Sequence, residues 1–399
     1  MHAPVRGGPP PKSSAPFAAT GLDRRRFLIV AGGALAWSAL RPYAAWASRA
    51  GAALPPLQVW TVPDEAPADD LDRARAMIGA AVLAPSHWNA QPWRFEVDGA
   101  TVRLLADARR ALPVTDPDQR AMRLSLGAAL ENLLVACRAW GLRPAVTYHP
   151  PDDPGGAIAE VAWSAGGASR DRALYAAIPE RRTNRHAYDG RGLYAENRAA
   201  LTAQIGADLR LHWIDDRPAL HSIADLAFEA VRDQILDHRA ETECRAWMRL
   251  GDDESLRHGD GISIDAFELG GPAKWFASRY FDPDSWLLGE GAGSMAKHVR
   301  DGVRSAGALA LLTALPRRPD LWVPAGQAYE RMALTATGLG IAMQPIDTPL
   351  ERSAPRAELV RRFGAEGEEP LLFMRLGHAR RPDPSPRRSI ALVASLRKA

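Results

Sequence analysis

From residue 71 onward, apolar residues fall at Leu71, Ala74, Ile78 and Val82, the three-and-four spacing that places them on one face of a helix. Asp69 or Asp70 can cap its start, and Pro85 stops it because proline has no backbone N–H to donate. The period then drops to two. Trp93, Phe95 and Val97 alternate with polar residues, and Asp98-Gly99 is a hairpin turn into a second strand over residues 101 to 105. Helical spacing returns in "LSLGAALENLLVACRAWGL", where Leu126, Leu130, Leu133, Cys137 and Trp140 form one stripe that ends at Gly141. Further on come a strand-like "LRLHWID" from Leu209, a helical stretch over residues 219 to 250, and an irregular region rich in Gly and aromatics over 251 to 293. "GALALLTAL" and "PLLFMRLG" then read as strands. Helices and strands mix without strict alternation, so the pattern predicts an α+β sandwich and not a doubly wound sheet.

A second long helix, "VPAGQAYERMALTATGLGI", aligns with the first when Gly326 is set on Gly127. Ala328 then matches Ala129, Glu330 matches Glu131 and Gly340 matches Gly141, which suggests an internal duplication.

The N-terminus changes how the charge is read. "DRRRFLIVAGGALAWSALRPYAAWA" joins three arginines to an apolar run and ends in Ala45-Trp46-Ala47, the form of an export leader over residues 1–47. Its apolar run is short against the roughly 20 residues that span a bilayer. Arg24-Arg25 followed by Arg26, Phe27 and Leu28 resembles the twin-arginine export signal, which predicts an exported, extracytoplasmic protein and the twin-arginine export machinery as a partner. An uncleaved membrane anchor is the alternative. The leader alone holds more than the whole basic excess behind the formal net charge of +3. The remainder is close to neutral, and with no basic stripe carrying interleaved aromatics, nucleic acid is not an expected partner. Two cysteines, Cys137 and Cys244, exclude a disulfide framework, and Cys137 reads as a small buried hydrophobe. Residues 48–70 are Pro- and Ala-rich and read as a linker.

The chemistry concentrates in two stretches. "APSHWNAQPWRF", between the first helix and the first strand, sets Ser86, Asn89 and Gln91 beside Trp88 and Trp93. Such a mixture suits a flat ligand with a polar edge and apolar faces, the tryptophans supplying the faces. In "RRTNRHAYDGR" the alternation of an extended chain would point Arg181, Thr183 and Arg185 the same way, and arginine forks suit a phosphate. His87, His186 and His221 have no partners at metal-ligand spacing.

Taken with "GQAYERMALTATGLG", "IAMQPI" and the closing "RLG" and "PRR", these stretches resemble the FMN-dependent nitroreductase superfamily over about residues 70 to 390. The leader and the repeated helix resemble its fused branch, the Acg-like proteins, in which one chain holds two nitroreductase-like halves. That resemblance implies an N-terminal half over 71–175 and a C-terminal half over 176–399, the latter with a lid-like insertion near 251–293. It also implies a mature chain that is monomeric as a pseudo-dimer, with FMN as its cofactor. It implies ring contacts from Ser86, Asn89 and Gln91, phosphate contacts from Arg181, Thr183 and Arg185, and a late basic contact from Arg387 and Arg388. Gln344 and Pro345 would run along the reactive edge of the flavin. The implied activity is oxidoreductase chemistry, passing electrons from an unidentified donor to a small electron-poor acceptor. The alternative is a flavin-binding protein that holds FMN without turnover, closed by the aromatics Phe267, Trp275, Phe276, Tyr280 and Trp286.

Overall fold

The computed structural model describes residue 57 and residues 59–150, 155–263, 266, 288–315 and 318–397. The expected leader and the five aromatics of the expected lid lie outside the described residues. Within them the helices that matter most are α1 (Asp70–Ala81), α2 (Arg120–Ala139), α3 (Arg217–Leu236), α4 (Leu288–Arg304) and α5 (Trp322–Gly338). The strands are β1 (Trp93–Asp98), β2 (Thr101–Ala106), β3 (Arg143–Tyr148), β4 (Ala159–Ser164), β5 (Leu209–Ile214), β6 (Met248–Arg249), β7 (Ile262–Ser263), β8 (Ala308–Ala314), β9 (Ala342–Pro345), β10 (Glu369–Gly377) and β11 (Ala394–Arg397). The expected α+β class holds, in the form of two main sheets with helices between and around them.

The sheets differ in how they are covered, and their sequences say so. In β1 only Trp93, Phe95 and Val97 are buried, because one face meets α1 and α2 while the other stays near solvent. All nine residues of β10 are buried. One face of its sheet packs Leu312, Met374 and Leu376 against α5, and the other packs Leu309, Leu311 and Phe373 against α3. The first sheet runs β11-β1-β2-β4-β3 and the second β5-β8-β10-β9. The last strand, β11, returns from the far end of the chain to pair in parallel with β1, Phe95 opposite Ala394. The C-terminal segment therefore completes the N-terminal sheet.

Two other expectations are corrected. The helical stretch over 219 to 250 is α3 followed by a separate helix His238–Ala246, because Asp237 leaves the helical conformation and accepts hydrogen bonds from the Arg239 and Ala240 amides as a cap. The region from 251 contains a further helix, Asp252–His258, ended by Gly259 at φ 64°, a left-handed position that glycine occupies without penalty.

At the centre α2 and α5 cross in backbone contact. A Cβ on Gly127 would lie 2.1 Å from the Val323 carbonyl oxygen and 2.9 Å from Gly326 Cα, and one on Gly326 would lie 2.1 Å from the Leu124 carbonyl oxygen. The contacts are reciprocal, since Leu124 precedes Gly127 by as many residues as Val323 precedes Gly326. Beside the crossing, buried Glu131 accepts from Gln327 Nε2 and Arg331 Nη1, both at 3.0 Å, and also from Arg138. Asp171 closes the network; despite its burial, hydrogen bonds from Arg331 and Arg138 hold its carboxyl below the usual range.

We predict that Gly127→Ala and Gly326→Ala each destabilise the protein. Alanine raises helix propensity by about 1 kcal/mol. Overpacking against a backbone carbonyl costs typically ~1–3 kcal/mol, and here no flexible side chain can yield. A urea midpoint that rises or stays fixed in either variant would show that the helices have room to separate.

Candidate functional site

The loop between α1 and β1 is strained and tightly held. Trp88, Asn89 and Gln91 all have positive φ, at 50°, 52° and 52°. Each such non-glycine position costs on the order of 1–3 kcal/mol, so the surroundings must over-determine it. They do so through the motif's own polar groups. Ser86 Oγ accepts from the Gln91 amide at 2.9 Å, and the His87 amide donates to Ser125 Oγ of α2 at 3.1 Å. Asn89 Nδ2 donates to the carbonyls of Gly261 and Pro386 at 2.9 and 3.2 Å. Gln91 is fully buried; its Nε2 donates to the Gly259 carbonyl at 2.8 Å and its Oε1 accepts from the Arg388 amide at 2.9 Å. Asn89 and Gln91 thus fasten the loop to two distant segments. Trp93, expected as an apolar platform, is instead wholly inside the core, because as the first residue of β1 it shares the inward face of Phe95 and Val97.

Beside this loop lies a cavity of about 250 Å³. Ser86, Thr183, Arg185, Gln344 and Pro345 all line it, which brings together five of the expected positions from three separate stretches. Leu124 of α2 and Tyr329 of α5 contribute apolar wall. Thr183 is set there by a parallel bridge to Met343 of β9, reinforced by the Asn184 amide donating to the Met343 carbonyl at 3.0 Å. Among the described residues the Arg185 guanidinium has no hydrogen-bond or ion-pair partner.

Behind it Arg375 is almost fully buried and, among the described residues, has no acid as partner. Its Nε donates to Gln344 Oε1 at 2.6 Å, its Nη2 to the His186 carbonyl at 2.9 Å, and its guanidinium lies 4.0 Å over the Tyr188 ring. Burial, and then repulsion from Arg375, push Arg185 down to about 10. His298 is likewise lowered, first by burial and then by Arg375 and Arg185. This wall of the cavity has a positive charge that nothing described balances.

The other arginines go elsewhere. Arg181 does not share the face of Thr183 and Arg185. It is drawn to Glu330, with its Nε 3.5 Å from the carboxylate, while Nη2 donates to the Leu83 carbonyl at 3.2 Å. Arg387 reaches the carbonyls of Leu83 and Ala84, both at 3.4 Å, and lies over Trp60. Arg388 donates through Nη1 to the Gln91 carbonyl at 3.3 Å. Burial outweighs Arg181 and raises Glu330 to about 8, and among the described residues the Nε atoms of both Arg181 and Arg387 are buried without a hydrogen bond.

A further cluster, His87 with two acids, lies on the same cavity and was not expected from the motifs. His87 Nδ1 lies 3.5 Å from Asp347 and Nε2 lies 3.3 Å from Glu351, with side-chain exposures of only 12, 10 and 5% in the order His87, Asp347, Glu351. Burial lowers the His87 pKa, but Asp347 and Glu351 more than offset it and the net shift is upward. Burial raises Glu351 to about 7 in spite of His87. The available signal was the spacing in "IDTPLE", which sets Asp347 and Glu351 one helical turn apart. Among the described residues no group of His, Cys, Asp and Glu is arranged to hold a metal ion, and no helix is long and apolar enough to cross a membrane.

A largely apolar cavity with a guanidinium unpaired among the described residues is suited to a small molecule that carries an anionic group. No protein-family profile matches the chain. A Mycobacterium tuberculosis protein named as an NAD(P)H nitroreductase is 31% identical over 336 residues, which covers 81% of this chain and 91% of its own. The NAD(P)H nitroreductase acg of the same organism is 38% identical over 84 residues, 21% of this chain and 25% of its own. A solved FMN and NADPH-dependent nitroreductase, NfnB from sphigopyxis sp. strain HMH, shares 16% identity over 57% of this chain and 99% of its own, with a TM-score of 0.36. The chain belongs to the nitroreductase family.

The raised carboxyls give a pH dependence with a definite sign. A group whose folded pKa lies above its unfolded value stabilises the fold below the unfolded value and loses that contribution as pH rises through the folded one. For Glu351 the window runs from the ordinary 4.5 to about 7, and His87 acts in the same direction. We predict that the cofactor-free protein loses stability between pH 5 and pH 8, and that Glu351→Gln removes on the order of 1–3 kcal/mol of that loss. Urea unfolding at both pH values measures it. An equal loss in wild type and variant would mean that Glu351 titrates normally.

Proposed function

We propose that the chain is an FMN-binding oxidoreductase of the nitroreductase type, which passes electrons from a reduced donor to a small electron-poor acceptor. The observation that carries the reading is the Arg185 guanidinium, unpaired among the described residues, on the cavity that Ser86, Gln344 and Pro345 also reach. The residues present fit FMN. Arg185, with Thr183 beside it, would hold the phosphate, since a charge-assisted bond needs a donor not already taken by an acid. Arg375 occupies Gln344 Oε1, which leaves the Gln344 amide nitrogen to donate to the polar edge of the ring. Leu124, Tyr329 and Pro345 offer apolar surface to its faces. Asn89 and Gln91 would act by fixing the loop that carries Ser86 and His87. Bound there, the flavin supplies the two-electron chemistry, and the protein supplies binding, orientation and electrostatics. The name of the long M. tuberculosis relative makes a reduced nicotinamide nucleotide the donor to test first.

The reciprocal packing of Gly127 and Gly326 and the partial match to acg support the fused, Acg-like reading, in which one chain takes the place of a dimer. On that reading one composite site remains, because the N-terminal half lacks a counterpart of "RRTNR" and the C-terminal half lacks a second Asn-x-Gln-Pro-Trp. Export by the twin-arginine route is part of the proposal and rests on Arg24 and Arg25. Replacing both with lysine keeps the charge and the apolar run, so a general secretory route tolerates it and a twin-arginine route does not. Fractionation that finds the double variant exported normally would overturn the route.

The binding site is tested by comparing two ligands. Hydrogen bonds to charged groups contribute about 1.5–3 kcal/mol. We predict that Arg185→Ala weakens FMN binding by about ten- to a hundredfold, while riboflavin, which has no phosphate, is barely affected. Fluorescence quenching measures both affinities, and equal losses for the two ligands would remove Arg185 from the phosphate.

A further inference from the structure

The cavity that the proposed function fills with FMN carries a feature that cofactor binding does not use. His87, Asp347 and Glu351 come together on its wall from two loops far apart in the chain, nearly buried. His87 and Glu351 are each held in place by a neighbour outside the group. The His87 amide donates to Ser125 Oγ at 3.1 Å, the Trp88 ring stands edge-on to the imidazole, and Gln234 of α3 donates to the Glu351 carboxylate. Asp116, just ahead of α2, also acts on His87 and Arg120 on Glu351, and Glu241, Arg245 and Arg185 line the same cavity. His87 Nε2 is buried with no hydrogen bond made, and Asp347 Oδ1 is equally unpartnered.

We propose that His87 is the proton donor to the acceptor, with Asp347 and Glu351 as the positioning residues that orient the imidazole. The proposal rests on the function proposed above. Reduction of a quinone to a hydroquinone takes two electrons and two protons. A bound reduced flavin would supply the two electrons and one proton together as hydride. The other proton leaves His87 Nε2, whose N–H bond breaks as an O–H bond forms on the acceptor. The imidazole is left neutral and recovers a proton from solvent by way of the Glu351 carboxyl. Buried acids and bases placed this way contribute typically about 10²–10⁴-fold. Two carboxylates and one imidazole in such a site retain between them the proton that the reaction consumes.

A pair of acceptors separates this role from a structural one. p-Benzoquinone needs protons and ferricyanide needs none, since ferricyanide takes single electrons. In holoprotein reduced with NADPH, His87→Gln is expected to lower the ratio of the quinone rate to the ferricyanide rate about a hundredfold. Glu351→Gln is expected to move the alkaline limb of the quinone pH profile to lower pH. In cofactor-free protein, NMR titration of the His87 ring is expected above the ordinary histidine value, and lower in both Asp347→Asn and Glu351→Gln. An unchanged quinone-to-ferricyanide ratio in His87→Gln, or a wild-type His87 that titrates at or below the ordinary value, overturns the role of His87 and leaves the proposed function standing. A wild-type chain that takes up no FMN overturns the proposed function and this role with it.

Discussion

Backbone contact between α2 and α5 at Gly127 and Gly326 sets how closely these two helices approach, and the cavity that both of them line depends on that distance. Both helices contribute wall from residues beside the crossing, Leu124 and Ser125 on one and Tyr329 on the other. A side chain at either glycine would drive the helices apart and open the cavity along its length. The buried network of Glu131, Arg138, Asp171 and Arg331 fixes the same crossing with charge. Replacing it with apolar residues of similar volume need not destabilise the fold, but removing one member leaves a buried charge unmatched.

Within that frame the site divides its charges. Arg185 and Arg375 come from the segment after residue 180 and from β10, and lack acids because those positions face β9 and the carbonyls around it. Asp347 and Glu351 come from the turn after β9 and meet His87 across the cavity wall. An occupant with an anionic group and a reducible ring suits both environments. The strained loop over residues 84 to 92 links them, since it carries Ser86 and His87 on one side while Asn89 and Gln91 tie its other side to residues 259–261 and 386–388.

Local pattern made much of this legible. Asp69 caps α1 as its position suggested, β1 alternates as written, and the two long helices lie where their periodicity put them. The stripe drawn for α2 nonetheless understates its burial. Ser125, Glu131 and Asn132 are inside too, because α1, the first sheet and α5 surround the helix. The strands β3, β4, β6, β7, β9 and β11 leave no clear pattern in the sequence, being short or weakly apolar and specified by their partners; β6 even falls inside the stretch that reads as helical. In the site, "RRTNR" and "IAMQPI" pointed to Thr183, Arg185, Gln344 and Pro345. The turning of Arg181 toward Glu330 and the meeting of His87 with Asp347 and Glu351 depend on contacts between residues far apart in the chain, which no local spacing encodes.

On the proposed function, the cavity lined by both α2 and α5 holds one flavin. The most direct measurement is the molar ratio of extracted FMN to chain in protein saturated with FMN and freed of excess, with the chain counted by amino-acid analysis. The account predicts a ratio of one. A ratio of two would mean that a second equivalent site survives across the crossing, and a ratio near zero would mean that the cavity beside Arg185 serves another ligand.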